Sequence, residues 1–199
     1  MDLVLDDLDL GAPVRLSGPP MTDDEILAFS SEHEDLEIEV NARGEFEIVP
    51  NAGFRSSQRN GEITEQLFAW TRADGRGFAT DSSALFRLPS GARRSPDGAW
   101  TEKCRVEQFL ADSTLEVFPV CPDFVIELRS PTDRKPHLED KMLEWIENGA
   151  KLAWLIDPID RTTTVYRPGR EPQVVTGTVV RGEGPVTGFD LKLDRIYPF

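Results

Sequence analysis

The chain has 199 residues, of which 39% are hydrophobic and 29% charged, enough for one large domain with a real core but short for two. Its net charge of −14 opposes nonspecific attraction to phosphate, so any nucleic-acid role requires a local basic patch or a metal ion. No apolar run approaches the roughly 18 residues of a membrane span, and the acidic opening lacks the basic region of a signal peptide. We therefore expect a cytoplasmic protein in which Cys104 and Cys121 are unbonded thiols.

Residues 1–20 are acidic and then rich in Gly and Pro, which predicts a flexible arm that can be removed, ahead of a single domain over 21–199. Thr22 and Glu25 form a capping box, so we expect a short helix that ends near His33. The segments 36–40 and 45–49 alternate apolar and polar residues around a turn, which is typical of a β-hairpin.

A second helix is predicted to begin at Asn60, whose side chain can cap it. Ile63, Leu67 and Trp70 make an apolar stripe at helical spacing, and Glu62 lies beside that stripe rather than opposite it. The sequences GFATD, ALFRL and GAWTEK then predict short strands separated by Gly and Pro.

Residues 122–158 predict a strand, a helix and a second strand. The helix HLEDKMLEWIENG has an apolar stripe with Lys141 at its edge, and it ends at Asn148-Gly149. The following strand, KLAWLIDP, is apolar throughout, which indicates burial on both faces. With the closing strands after residue 160, this order predicts an α/β or α+β protein with a mixed central sheet flanked by helices.

The strand FVIELRS places two charges among apolar residues. Side chains alternate along a strand, so Glu127 and Arg129 are expected on the same side. A buried carboxylate is costly unless it meets a cation or a metal ion. Taken by itself, this strand favours an internal Glu127–Arg129 ion pair that stabilises the sheet.

Several common catalytic motifs are absent, and two histidines are too few for a zinc site or a histidine-based triad. Carboxylates remain as candidate ligands for a hard cation, and Mg²⁺ needs only one or two of them. Asp123 and Glu127 are four residues apart on one strand, about 13 Å, and cannot share an ion. Asp97 precedes a different strand and could lie beside Glu127, although SPDG (95–98) is also a typical turn sequence.

The segments LFRLPSGARRSPDGAWT, CPDFVIELRSPTD and KMLEWIENGAKLAWLIDP closely resemble the Uma-type putative restriction endonuclease family of the PD-(D/E)XK nuclease superfamily, from about Met21 to the C terminus. The resemblance implies a restriction-endonuclease-like core with an N-terminal helix and hairpin, and phosphodiester hydrolysis with Mg²⁺ or Mn²⁺. It implies that Asp97 and Glu127 bind the metal, with Glu62 as a weaker match to an acidic residue of the first helix. The implied substrate is nucleic acid, DNA in preference to RNA, with no membrane partner; a homodimer remains open.

One position departs from the family pattern. Where the superfamily has Lys two residues after the Glu, this chain has Arg129, which stays protonated and can contact phosphate but cannot act as a base. Lys141 could replace that lysine from the following helix, or it could be a helix lysine that extends to solvent. Two alternatives therefore remain: a catalytically degenerate binding or scaffold module, and a hydrolase of small phosphoesters.

Overall fold

The structure is a computed structural model. It describes residues 14–16, 21–33, 36–50 and 53–197. In these ranges the helices are α1 (Asp23–Glu32), α2 (Phe54–Asp74), α3 (Lys103–Val106) and α4 (Lys135–Glu147), with a short 3-10 turn at Gly184–Val186. None of them is both long enough and apolar enough to cross a bilayer. The capping box of α1 is confirmed, because Thr22 and Glu25 each accept a hydrogen bond from the other's backbone N–H.

The strands of the described residues form three sheets. In chain order they are β1 (Val14–Leu16), β2 (Leu36–Val40), β3 (Phe46–Pro50), β4 (Gly77–Asp81), β5 (Leu85–Arg87), β6 (Arg93–Arg94), β7 (Gly98–Glu102), β8 (Val117–Phe118), β9 (Phe124–Leu128), β10 (Leu152–Asp157), β11 (Thr162–Tyr166), β12 (Gln173–Thr176), β13 (Val179–Arg181) and β14 (Asp190–Lys192). The central sheet has the order β12-β11-β10-β9-β7-β4, and a second sheet has the order β1-β3-β2-β6-β5-β8. Strands β13 and β14 pair separately.

The centre of the main sheet is the predicted strand, helix and strand. Strands β9 and β10 run parallel and are connected by α4, whereas β7 and β11 pair antiparallel to them. Every residue of β9 and β10 is buried, as the apolar runs predict. The predicted fold class, a mixed α/β protein with helices on a mixed sheet, is confirmed.

The two faces of β9 pack on different helices. Ile126 belongs to the same core cluster as Ile63 of α2, whereas Val125 belongs to a cluster with Met142 of α4. Side chains alternate along the strand, so Glu127 lies on the α4 face with Val125. The register also determines the neighbour of Glu127: Gly98 of β7 pairs with Ile126, so the next antiparallel position brings Asp97 opposite Glu127.

The second sheet contains the predicted hairpin, which is confirmed as β2 and β3. Strand β1 pairs antiparallel with β3, so Val14–Leu16 of the predicted flexible arm forms a third strand here. The remainder of the segment 1–20 lies outside the described residues. This sheet brings Glu39 of β2 and Arg94 of β6 toward α4.

The prediction that Asn60 caps the second helix is wrong. Helix α2 begins six residues earlier at Phe54, after Gly53, which provides no side-chain cap. No Pro or Gly occurs from 54 to 59 to stop the helix, and buried Ser56 continues the face that Ile63 and Leu67 form. Asn60 is therefore inside the helix, and its amide group is available for a tertiary contact.

Candidate active site

Asp97 lies at the entry to β7 with its carboxylate directed toward the end of β9. The backbone N–H of Leu128 donates to Asp97 Oδ2 at 2.7 Å, and Asn60 Nδ2 donates to Asp97 Oδ1 at 2.6 Å. The segment SPDG thus leads directly into a strand instead of forming only a surface turn. The structure brings Asp97 and Glu127 together at the same end of two neighbouring strands.

Glu127 is 4% exposed and takes its cation from α4. Lys141 Nζ lies 2.9 Å from Glu127 Oε1, and Trp145 Nε1 donates to the same oxygen at 2.9 Å. The predicted Glu127–Arg129 ion pair is wrong, because Glu127 takes its cation from Lys141. Arg129 instead pairs with Asp157, at 2.7 Å.

Lys141 is part of the site and does not extend to solvent. Its side chain is 10% exposed, and Nζ lies 2.9 Å from Glu39 Oε1 as well as 2.9 Å from Glu127 Oε1. It also donates to the backbone carbonyl of Ser95 at 3.3 Å. The ammonium group of Lys141 is therefore fixed between the two sheets.

The sequence reasoning missed a second layer of buried charge around Arg94. The guanidinium of Arg94, 4% exposed, contacts Glu39 at 2.9 Å, Glu144 at 2.5 Å and also Glu47. The backbone N–H of Ser95 donates to Glu39 at 2.8 Å. The signal for these residues was present in the hairpin, where LEIEV and EFEIV each carry glutamates at alternate positions, typical of a solvent-facing side. Here Glu39 and Glu47 contact Arg94 instead of solvent.

The site contains more carboxylates than cationic side chains. Among the described residues, Arg94 and Lys141 face five carboxylates, which belong to Glu39, Glu47, Asp97, Glu127 and Glu144. Burial raises the pKa of Glu127 to about 7; the Lys141 ammonium opposes this rise, and the carboxylates of Asp97 and Glu39 add to it. Burial also raises the pKa of Asp97 above its ordinary value, although the N–H of Leu128 acts against it.

Two other acidic residues lie in different surroundings. Glu62 accepts a hydrogen bond from Arg195 at 3.2 Å. The α2 residue that bonds to Asp97 is Asn60. Asp123 is fully buried at the start of β9 and pairs with Arg105 at 2.6 Å and Lys151 at 3.0 Å. Asp123 is thus neutralised at the end of the strand opposite to Glu127.

The described residues contain no group of three or more His, Cys, Asp or Glu side chains arranged to hold a metal ion. The site instead offers a carboxylate pair and one amide oxygen: Asn60 Oδ1 is buried and has no hydrogen-bond partner. Mg²⁺ commonly takes one or two carboxylates and completes its coordination with water and substrate phosphate.

This combination of a mixed sheet and a carboxylate pair with a nearby lysine fits a nuclease fold, and comparison with known proteins agrees. Residues 23–194 match the Uma2 family, described as putative restriction endonuclease, and the chain belongs to that family. A similar solved structure is that of a putative nuclease from Anabaena variabilis ATCC 29413. It is 20% identical, with a TM-score of 0.70 over 80% of this chain and 89% of that chain, and it shows a shared fold. No curated protein matches the chain.

Proposed function

We propose that the protein is an enzyme that hydrolyses phosphodiester bonds of nucleic acid, DNA in preference to RNA, with Mg²⁺ or Mn²⁺ as cofactor. The observation that carries this proposal is the convergence of Asp97, Glu127 and Lys141 at one end of β7 and β9. Membership in a restriction endonuclease family supports nucleic acid as the substrate class.

The donor set fits a hard divalent cation. Asp97 and Glu127 supply carboxylate oxygens, the ligand type that Mg²⁺ prefers. Asn60 donates its amide N–H to Asp97, so its Oδ1 faces away from that carboxylate and is left buried without a partner. An unpaired buried polar atom costs about 1–3 kcal/mol, which favours a bound water or cation near it. Asp97 and Glu127 would hold the ion, and Asn60 would keep Asp97 in place through its amide N–H.

The buried charges also support cation binding. Arg94 and Lys141 do not balance the surrounding carboxylates, so the site keeps a negative potential that attracts a divalent cation. A bound cation would in turn attract a phosphate group, which a protein with a net charge of −14 otherwise repels. This resolves the conflict between the acidic composition and a nucleic-acid substrate.

Each site residue has a role set by its chemistry. The metal ion, when bound, would supply Lewis acidity toward the phosphate and lower the pKa of a bound water. Burial alone would lower the pKa of Lys141, but the carboxylates of Glu127 and Glu39 raise it above the ordinary lysine value. Lys141 therefore stays protonated, and in this proposal it offsets negative charge on the phosphate instead of acting as a base.

Two further residues implied by the family resemblance have smaller roles in the proposal. Arg129 is always protonated and could contact a phosphate, although it shares its guanidinium with Asp157. Glu62 would have to leave Arg195 before it could assist through a water molecule.

One observation favours a second candidate, a nuclease fold that binds ligands without catalysis. Both oxygens of Asp97 and both oxygens of Glu127 already accept hydrogen bonds or ion pairs from the protein. A cation must therefore share these oxygens with protein donors or displace Lys141. Metal titration combined with a cleavage assay distinguishes the two candidates.

The test combines metal binding and cleavage in matched variants. We expect Mg²⁺ or Mn²⁺ to raise the melting temperature of the wild-type protein and to support cleavage of plasmid, single-stranded DNA or RNA. Asp97→Asn should lose both effects. Asp123→Asn, which changes another buried Asp preceded by Pro, should retain both even if it lowers the melting temperature.

The outcomes separate the candidates. A metal-dependent stabilisation without cleavage of any nucleic acid would favour the binding module. Cleavage of a small phosphomonoester but of no nucleic acid would favour a small-phosphoester hydrolase. Absence of any metal effect on the wild-type protein would contradict the proposed function.

A further inference from the structure

The first two turns of α2 differ in charge from the chain as a whole. Residues 54–61, FRSSQRNG, contain two arginines and no acidic residue, although the chain contains 36 Asp and Glu against 22 Lys and Arg. A local basic segment in an acidic protein stands out because the surrounding potential is negative.

The two arginines of this segment are Arg55 and Arg59. They are separated by four positions on a helix, so their side chains lie on the same side, with a rise of about 6 Å between them. Arg55 is exposed and Arg59 is half-buried. Over the ranges that the structure describes, neither forms an ion pair, unlike Arg94 and Arg129, which are bound to carboxylates.

The segment leads directly to the candidate site. Asn60 follows Arg59 in the chain, and its amide group bonds to Asp97 at 2.6 Å. Arg55 precedes Asn60 by five residues, about 7.5 Å along the helix axis. The two arginines therefore lie within about two helical turns of the residue that bonds to Asp97.

We propose that Arg55 and Arg59 form a binding surface for the phosphate backbone of a nucleic-acid strand and guide that strand to Asp97 and Glu127. The inference rests on the proposed function, and it names the surface through which an acidic protein approaches its substrate. Guanidinium groups are suited to this role, because they match phosphate geometry and carry permanent charge. Contacts to phosphate are independent of base sequence, so this surface contributes affinity and orientation rather than sequence selection.

Helix α2 also provides a matched control. Arg72 is exposed in the last turn of the same helix and, in the described part of the chain, has no ion pair. It lies about 20 Å along the helix axis from Arg59. Arg72→Gln removes the same charge as Arg55→Gln or Arg59→Gln but leaves the proposed surface unchanged.

The experiment measures binding without cleavage. Fluorescence anisotropy follows a labelled duplex oligonucleotide in Ca²⁺ and in EDTA, over a series of salt concentrations. We expect Arg55→Gln and Arg59→Gln each to weaken binding about 3- to 10-fold and to reduce the slope of log K against log salt by about 0.9. Arg72→Gln should change both by much less.

Several results would overturn the inference: equal weakening by Arg72→Gln, no weakening by either of the other two variants, or competition by polyglutamate as effective as that by DNA. The last result would indicate an acidic protein as the ligand. The metal-induced rise in melting temperature, measured on the same variants, distinguishes this failure from failure of the proposed function. Arg55→Gln and Arg59→Gln should keep the metal-induced rise in melting temperature. If both variants weaken DNA binding but the wild-type protein shows no metal effect, the result would support the binding surface and contradict the proposed nuclease function.

Discussion

Replacement of Arg94 by Met is expected to destabilise the protein by about 3–5 kcal/mol, the usual cost of removing one partner from a buried ion pair. The side chain of Arg94 is 4% exposed, and it contacts Glu39 (3% exposed), Glu47 (1%) and Glu144 (16%). Methionine removes the charge that Arg94 brings to these carboxylates while filling part of the same volume, although Glu39 keeps its contact with Lys141. The loss is therefore electrostatic rather than a cavity effect.

Arg87→Met is the control. Arg87 forms an ion pair with Asp23 at 2.8 Å, but its side chain is 44% exposed, so we expect a loss of about 0–1 kcal/mol. Urea unfolding followed by circular dichroism at pH 7.5 measures the free energy of unfolding of both variants. Arg94→Lys, which keeps the charge but loses the planar fork, should be intermediate and remains measurable if Arg94→Met does not fold.

The Arg94 prediction includes a pH dependence. Burial alone would raise the pKa of Glu47, but Arg94 lowers it below its ordinary value, so the folded wild-type protein favours ionised Glu47. This stabilisation is complete above the pKa that Glu47 has in the unfolded chain. It is lost as the pH falls through the lower pKa that Glu47 has in the folded protein. Arg94→Met removes the largest cause that lowers the pKa of Glu47, so the stability deficit of this variant should be largest near pH 8 and should narrow toward pH 5. Equal losses in Arg94→Met and Arg87→Met, or a deficit that does not change with pH, would refute this reasoning.

Three further predictions concern the rest of the chain. Lys141→Met should lower the cleavage rate by about 100-fold or more if the ammonium offsets charge on the phosphate, and a rate near that of the wild type would remove Lys141 from the mechanism. Deletion of residues 1–18 removes β1 from the edge of β3, so the melting temperature of this variant should fall below that of a variant lacking residues 1–13. Equal melting temperatures would show that β1 does not contribute to stability. Cys104 is exposed, whereas burial raises the pKa of the Cys121 thiol to about 12, so one thiol should react rapidly with a disulfide reagent and the second only after unfolding. Two fast thiols would contradict the burial of Cys121.

The sequence predicted the central sheet well because its signals are local. An apolar run with one glutamate predicted β9, whereas the Pro-Asp pair before GAWTEK left Asp97 open between a turn and the entry to a strand. The antiparallel register then placed Asp97 opposite Glu127, as the family resemblance implied. Both cysteines are free, as their spacing predicted.

The residues that the sequence did not reveal are those whose roles depend on contacts between distant segments. Glu39 lies in an alternating hairpin strand and looks solvent-facing until the second sheet meets α4. Asn60 looks like a helix cap because Asn is common there, but its side chain is used to hold Asp97. Arg129 does not pair with Glu127, because Asp157 of the neighbouring strand takes Arg129 and Lys141 of α4 takes Glu127.

Helix α4 connects the two sheets through side chains on one side: Lys141 and Trp145 contact Glu127, and Glu144 contacts Arg94. These contacts are distant in sequence, with 55 positions between Arg94 and Glu39 and 46 between Lys141 and Ser95. Such contacts require long loops to close, so the carboxylates lie together only in the folded chain. In a chain still emerging from the ribosome, many of these side chains are present but not yet assembled into the site. The proposed hydrolytic chemistry is therefore confined to the completed fold.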